Sequence, residues 1–228
     1  MPLLILGALL AILIYVPSLW VRQVMSRYGG EITGLSGTGG ELARHLIDRF
    51  KLEGIGVEET LPLRDHFDPD ARMVRLSPDN FNGKSLTAVA VAAHEVGHAI
   101  QFHRQEKIFE LRKRYIPRAN TLNRAGIAIM WCLPVAGLIL RSPFVIGAII
   151  SVSLLLQLAG ALTYLIVLPE EWDASFNKAL PILSQGNYVD RQDLPKVRKV
   201  LLAAAMTYFA GALANVLNIA RWMLILRR

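Results

Sequence analysis

The sequence predicts a mainly α integral membrane protein with about four transmembrane helices and a small α+β polar region. Three observations predict it. Of 228 residues, 53% are hydrophobic and only 19% charged, against roughly a quarter charged in an ordinary soluble domain, and mean hydropathy is +0.38. Residues 2–21, 125–140, 143–168 and 201–220 contain no Asp, Glu, Lys, Arg or His. Residues 22–123, by contrast, hold 15 of the 25 Lys and Arg and 13 of the 18 Asp and Glu. A single soluble domain, a disordered chain and a disulfide scaffold are all excluded. The lone Cys132 lies in an apolar run and can make no intrachain bridge. The formal net charge of +7, on so apolar a chain, points to lipid head groups before nucleic acid.

A helix crossing the hydrocarbon core needs about 20 apolar residues. The first span is expected at 1–21 and read as uncleaved, because only Met1-Pro2 precedes the apolar run and no A-x-A site follows. Residues 22–124 form a polar region. Residues 125–168 then read as a transmembrane hairpin. Its first arm, Ala125–Leu140, is short and flanked by Arg124 and Arg141, which can snorkel; a re-entrant hairpin is the competing form. A second polar segment covers 169–200, and a fourth span with the C-terminus covers 201–228. Basic residues crowd the approaches to spans two and four: Arg112, Lys113, Arg114, Arg118 and Arg124, then Lys196, Arg198 and Lys199. The turn between spans two and three offers only Arg141. Both polar segments are therefore expected in the cytoplasm, with Arg227 and Arg228 as an interfacial anchor.

Within the first polar region, six glycines in 29–40 mark a connector. Thr38, with Glu41 three residues on, predicts a capped helix Gly39–Phe50. Val57–Leu63 and Met73–Leu76 read as short strands around the turn Asp68-Pro69-Asp70. From Ser85 a long helix is expected to continue to about Arg114.

That helix carries His94-Glu95-Val96-Gly97-His98, an H-E-x-x-H sequence. Residues four apart on a helix face one side, so both imidazoles can bind one zinc. Glu95 lies about 100° round from His94, beside the metal and placed to move a proton. Two histidines leave coordination incomplete. His103 fails as the third ligand, because the extended pattern needs Gly at 101 and His at 104, where Gln101 and Arg104 stand. His45 reads as a core or interface residue, and His66 as part of a turn. A better source is Pro169-Glu170-Glu171-Trp172-Asp173-Ala174-Ser175. Pro169 suits a helix start, Glu171 shares a face with Ala174 and Ser175, and Ser175 can bond a ligand histidine. The alternative is that both glutamates merely complement a helix dipole.

These residues resemble the YugP-like membrane zinc metallopeptidases over nearly the whole chain. The matching pieces are Gly34-Leu35-Ser36-Gly37, Glu41-Leu42-Ala43-Arg44, Asp65-His66-Phe67-Asp68-Pro69, Val74-Arg75-Leu76-Ser77, Val91 to Gln101, Pro169-x-Glu171-Trp172-Asp173-Ala174-Ser175 and Ala203 to Tyr208. The resemblance implies His94, His98 and Glu171 as Zn²⁺ ligands and Glu95 as the catalytic acid/base. The site is also similar to that of HtpX-type proteases, whose Glu-x-x-Ala-Asp helix has Asp where Ser175 stands here.

The expectation is a zinc endopeptidase in a bacterial plasma (inner) membrane, with its active site facing the cytoplasm. Its substrates would be membrane or juxtamembrane proteins or peptides, because Glu171 follows the third apolar run by three residues. Tyr208 and Arg198 are oxyanion candidates, and Met73–Ser77 is a candidate edge strand for an extended substrate. The partners expected are a protein or peptide substrate and the lipid bilayer, with no nucleic acid. A non-catalytic scaffold with a residual zinc site is one rival. A site-2-type intramembrane protease is another, although the polar Asp79-Asn80-Phe81-Asn82 precedes the motif closely. Gly83-Lys84-Ser85 lacks the glycine at 78 that a phosphate loop requires.

Overall fold

A computed structural model describes residues 2–140 and 142–226, with side chains described except at 2–11, 13–14, 136–138, 140, 211–212 and 214–226. The chain divides into two compact units. One contains the chain up to Ser18, Leu111–Leu168 and the chain from Tyr208 onward; the other contains Leu19–Glu110 and Pro169–Thr207. In order, the elements are α1 (Pro2–Arg27), α2 (Gly39–Arg49), β1 (Gly56–Glu59), β2 (His66–Asp68), β3 (Met73–Leu76), α3 (Pro78–Phe81), α4 (Leu86–His103), α5 (Phe109–Trp131), α6 (Leu133–Leu140) and α7 (Pro143–Trp172). A π-helical segment Asp173–Ala179, α8 (Leu180–Gln185), a short 3₁₀ turn and α9 (Leu194–Leu226) complete the chain.

In the second unit, the ends of α2 are set by local chemistry. Thr38 accepts from the Glu41 amide while the Glu41 carboxylate accepts from the Thr38 amide, a complete capping box. One face of α2 buries Leu42, Ala43, Leu46 and Ile47. The three-stranded sheet has the order β1-β3-β2, with β1 parallel and β2 antiparallel to β3. β3 is therefore central: its ladder groups pair on both sides, so Met73–Ser77 offers no free edge to a substrate. This corrects the edge-strand expectation. The chain between β1 and β2 turns at Leu61-Pro62-Leu63-Arg64, where the Arg64 amide donates to the Leu61 carbonyl, so β1 stops at Glu59 instead of running to Leu63.

α4 is buried along Leu86–Gln101. Its cap is Ser85, whose hydroxyl accepts from the Ala88 amide at 3.0 Å. The helix stops at His103 instead of continuing to Arg114. Gln105 takes a left-handed φ of 52°. Its amide donates to Phe102 O, and the Glu106 amide donates to Gln101 O. This is the Schellman pattern, which caps the last carbonyls and turns the chain.

In the first unit, α5 and α7 approach through small residues. A Cβ at Gly126 would lie 2.8 Å from Ser153 O, and one at Gly160 would lie 3.0 Å from Ala119 O. The Ser153 hydroxyl donates to Gly126 O at 2.7 Å. Met130 and Leu133 form a small core against Ile146, Ile149, Ile150 and Leu154.

The expected four transmembrane helices are not supported. Among the described residues, one continuous helical run, Pro143–Gln185, is long and apolar enough to cross a membrane, with a mean hydropathy of 2.2 over its most apolar 18 residues. Residues 125–140 do not form a span of their own. Their first seven end α5, which begins with a basic stretch, and α6 has eight residues, about 12 Å of helix against a core of about 30 Å. The start of the expected fourth span is packed inside the second unit, with Leu201, Ala203, Ala204 and Ala205 all buried. In the expected first span, Ile12, Val16 and Leu19 are exposed while Val21 is buried, and the side chains of 2–11 and 13–14 lie outside the described residues. α7 is the helix that meets the length and hydropathy conditions among the described residues. Leu155, Leu158, Leu162 and Leu165 are exposed along it, which suits contact with lipid.

Candidate metal centre

His94 and His98 project from one face of α4, with ring centroids 4.7 Å apart. What faces them is the end of α7 and the π-helical segment that follows. The approach is close because of Gly97: a Cβ there would lie 2.8 Å from Ala174 O and 3.3 Å from Ala174 Cα. Pro169 does not start a new helix; α7 runs through it to Trp172, and the winding changes at Asp173. π-helical turns commonly occur at functional positions. Here the widened turn carries Ala174 against Gly97 and Ser175 against His94.

The donor atoms form a nearly equilateral triangle. His94 Nε2 and His98 Nε2 are 3.2 Å apart, and each is 3.3 Å from Glu171 Oε2. All three residues are buried. Hydrogen bonds on the far side of each ring explain why Nε2 points inward. Ser175 Oγ lies 2.9 Å from His94 Nδ1 and donates its own proton to Leu201 O at 3.1 Å. Its lone pair therefore faces Nδ1, which donates, and His94 Nε2 keeps a lone pair for a metal. His98 Nδ1 lies 2.9 Å from Gln101 Oε1 and 3.2 Å from Glu170 Oε1, so acceptors hold the same tautomer.

Two ring lone pairs and a carboxylate oxygen thus converge with no proton assigned between them, an arrangement that a cation stabilises. Its size fits zinc: bonds of about 2.0–2.1 Å to N and O in a tetrahedron place ligands roughly 3.3–3.4 Å apart. Three protein donors also leave the fourth position that a catalytic site requires. Glu95, next to His94, is buried, and no hydrogen bond or ion pair engages its carboxylate among the described residues.

Comparison with known proteins agrees with the donor set. Residues 3–227 match the family described as "Putative neutral zinc metallopeptidase". The chain belongs to this family. It is also 34% identical over 206 residues to "Putative membrane protease YugP" of Bacillus subtilis (strain 168), covering 90% of this chain and 88% of that one. No solved structure matches.

The remaining residues singled out from the sequence of this zinc-metallopeptidase family member have partners of their own. Tyr208 belongs to the first unit, where its hydroxyl accepts from Arg112 at 2.9 Å and its ring stacks on Tyr164 at 6.1 Å. The Arg198 guanidinium sits over the Phe176 ring at 5.7 Å. His45 is exposed and lies 2.8 Å from the Tyr188 hydroxyl. His66 sits in β2, with Nδ1 2.7 Å from Arg64 O, and His103 is exposed at the end of α4.

Three residues at the centre carried no assigned role in the sequence reading: Gln101, Glu170 and Asp173. Gln101 and Glu170 face His98, and Asp173 holds Gln101 at 2.8 Å. One signal was available for Gln101. It stands three residues after His98, hence on the same helix face, and an amide on an otherwise buried apolar helix needs partners.

Proposed function

We propose that this chain is a membrane-embedded zinc endopeptidase, with His94, His98 and Glu171 as the ligands and Glu95 as the acid/base. The observation that carries the proposal is the 3.2–3.3 Å triangle of donors, buried and backed at both histidines by fixed hydrogen bonds. A zinc ion held there supplies Lewis acidity to a water and to a scissile carbonyl. Glu95 takes the proton of the attacking water and delivers it to the departing amine nitrogen. Ser175, Gln101 and Glu170 hold the rings so that neither histidine turns away during turnover.

Membrane and juxtamembrane proteins are the proposed substrates. Glu171 follows Leu168, the end of the apolar run, by three residues on the same helix, which tethers the centre to the bilayer. Cytoplasmic placement of the centre is part of the proposal, with Lys178, Lys196, Arg198 and Lys199 following that run and Arg141 just preceding it.

Two substitutions in the purified full-length chain test the chemistry. Glu95→Gln is expected to keep stoichiometric zinc and to lose peptide hydrolysis by at least about 100-fold, the lower range for a general base. Glu171→Ala is expected to lose most bound zinc. Undiminished hydrolysis in the first variant, or tight stoichiometric zinc in the second, would sink the assignment.

A further inference from the structure

His98 is oriented by an amide, and an amide side chain has two ends. Turned one way, Gln101 offers its carbonyl oxygen to His98 Nδ1; turned the other way, it offers N–H groups and forces the opposite tautomer, with the lone pair facing away from Glu171. The surroundings decide between them. The Gln101 amide nitrogen donates to Glu170 O at 3.1 Å and to Asp173 Oδ2 at 2.8 Å. A flip would set Oε1 against both of these acceptors. Asp173 is itself pinned: the Asn177 amide donates to its Oδ1 at 2.9 Å, and Lys178 donates to its Oδ2. Lys178 also donates to Glu106 Oε2 at 2.8 Å. Glu106 follows Gln105 at the Schellman turn that ends α4, so the chain of contacts closes from one end of the metal helix back onto its ligand.

We propose that Gln101, Asp173 and Lys178 form a relay of positioning residues that, together with the Glu170 carboxylate at the same ring nitrogen, fixes the His98 tautomer and so sets how tightly the centre holds its metal. The relay rests on the zinc-site reading given above. Asp173 and Lys178 act on His98 through Gln101: they hold the amide in the one orientation that leaves His98 Nε2 able to bind. Partners of this kind change metal affinity by about 10–100-fold when removed.

The test measures zinc dissociation constants by chelator competition in the full-length chain in detergent, together with the Co²⁺ visible spectrum and the melting temperature of the metal-free form. Gln101→Leu is expected to weaken zinc about 10–100-fold, and Asp173→Ala about 10-fold. Their double variant is expected to bind no more weakly than Gln101→Leu alone, because the aspartate has nothing left to orient. Lys178→Met is expected to lower affinity and Lys178→Arg to keep it, a pair that remains informative even where Asp173→Ala folds poorly. Each weakened variant should alter the Co²⁺ spectrum. Additive losses in the double variant, wild-type affinity in Asp173→Ala or equal affinity in the two Lys178 variants overturns the relay alone. Failure of the wild-type chain to bind zinc overturns the relay together with the peptidase reading.

Discussion

Asp68 is held ionised by the turn it closes. The backbone amides of Ala71 and Asp70 each donate to its Oδ1 at 3.0 Å, and the Arg75 guanidinium donates to Oδ2. These contacts, the Ala71 amide foremost, hold its carboxyl below the usual aspartate range against a partial desolvation that pushes it up. A depressed folded value means that the unfolded state takes up a proton first as pH falls. The stabilisation is therefore complete above about pH 4, the ordinary aspartate value, and is lost as pH drops through the lower folded value. Asp68→Asn keeps an oxygen for the turn but cannot ionise. Its melting temperature should lie below wild type near neutrality, by at most about 2–4 °C, and the gap should narrow as pH falls below about 4. A gap that stays constant from pH 7 to 3 would remove the carboxylate from this role. At the same scale, the ligand histidines were legible because their spacing alone puts them on one face. Gln101 and Asp173 were not, since what each does depends on a partner about 70 residues away in the chain.

Between elements, the approach of α4 to the π-helical segment is the most easily tested. Gly97 leaves room for the Ala174 backbone, and an added methyl would sit 2.8 Å from a carbonyl oxygen that has no rotamer to move into. Alanine gains about 1 kcal/mol of intrinsic helix preference over glycine, whereas overpacking costs typically 1–3 kcal/mol. Overpacking wins, because the clash is with backbone. Gly97→Ala should lower the melting temperature and weaken zinc as Ala174 is pushed from α4 and carries Ser175 and Glu171 with it. A variant as stable as wild type, binding zinc equally well, would show that the helices have slack. Element ends differed in how readable they were. The start of α2 was legible because Thr38 and Glu41 make a capping box whose two halves are both side chains. The end of α4 was hidden because Gln105, not glycine or asparagine, occupies the left-handed position, so nothing in the residue type announced the turn. Strand β3 was placed correctly, but its neighbours could not be read. A four-residue strand carries no record of whether one or both edges are paired.

For the whole chain, freedom from charge misled. It marks a segment that avoids water, and protein interior satisfies that condition as well as lipid does. Leu201–Ala205 are apolar because they pack inside the unit that carries the metal residues; α7 is apolar while its leucines remain uncovered. Composition is the same in both, and exposure separates them. The separation can be measured in proteoliposomes on a Cys132→Ser background, with an environment-sensitive fluorophore at Leu155→Cys or at Lys196→Cys. Leu155 lies midway along Pro143–Leu168, a stretch of about 39 Å at 1.5 Å per residue, and the residue is 65% exposed. Lys196 is an exposed partner of Asp193 at 2.7 Å. The probe at 155 should be quenched by brominated lipid tails and spared by aqueous iodide, and the probe at 196 should do the reverse. In intact cells, an impermeant thiol reagent should reach position 196 only after the plasma membrane is opened, as a cytoplasmic metal centre requires. Iodide quenching at 155 would take α7 out of the bilayer, and labelling of 196 from outside would put the centre on the other face.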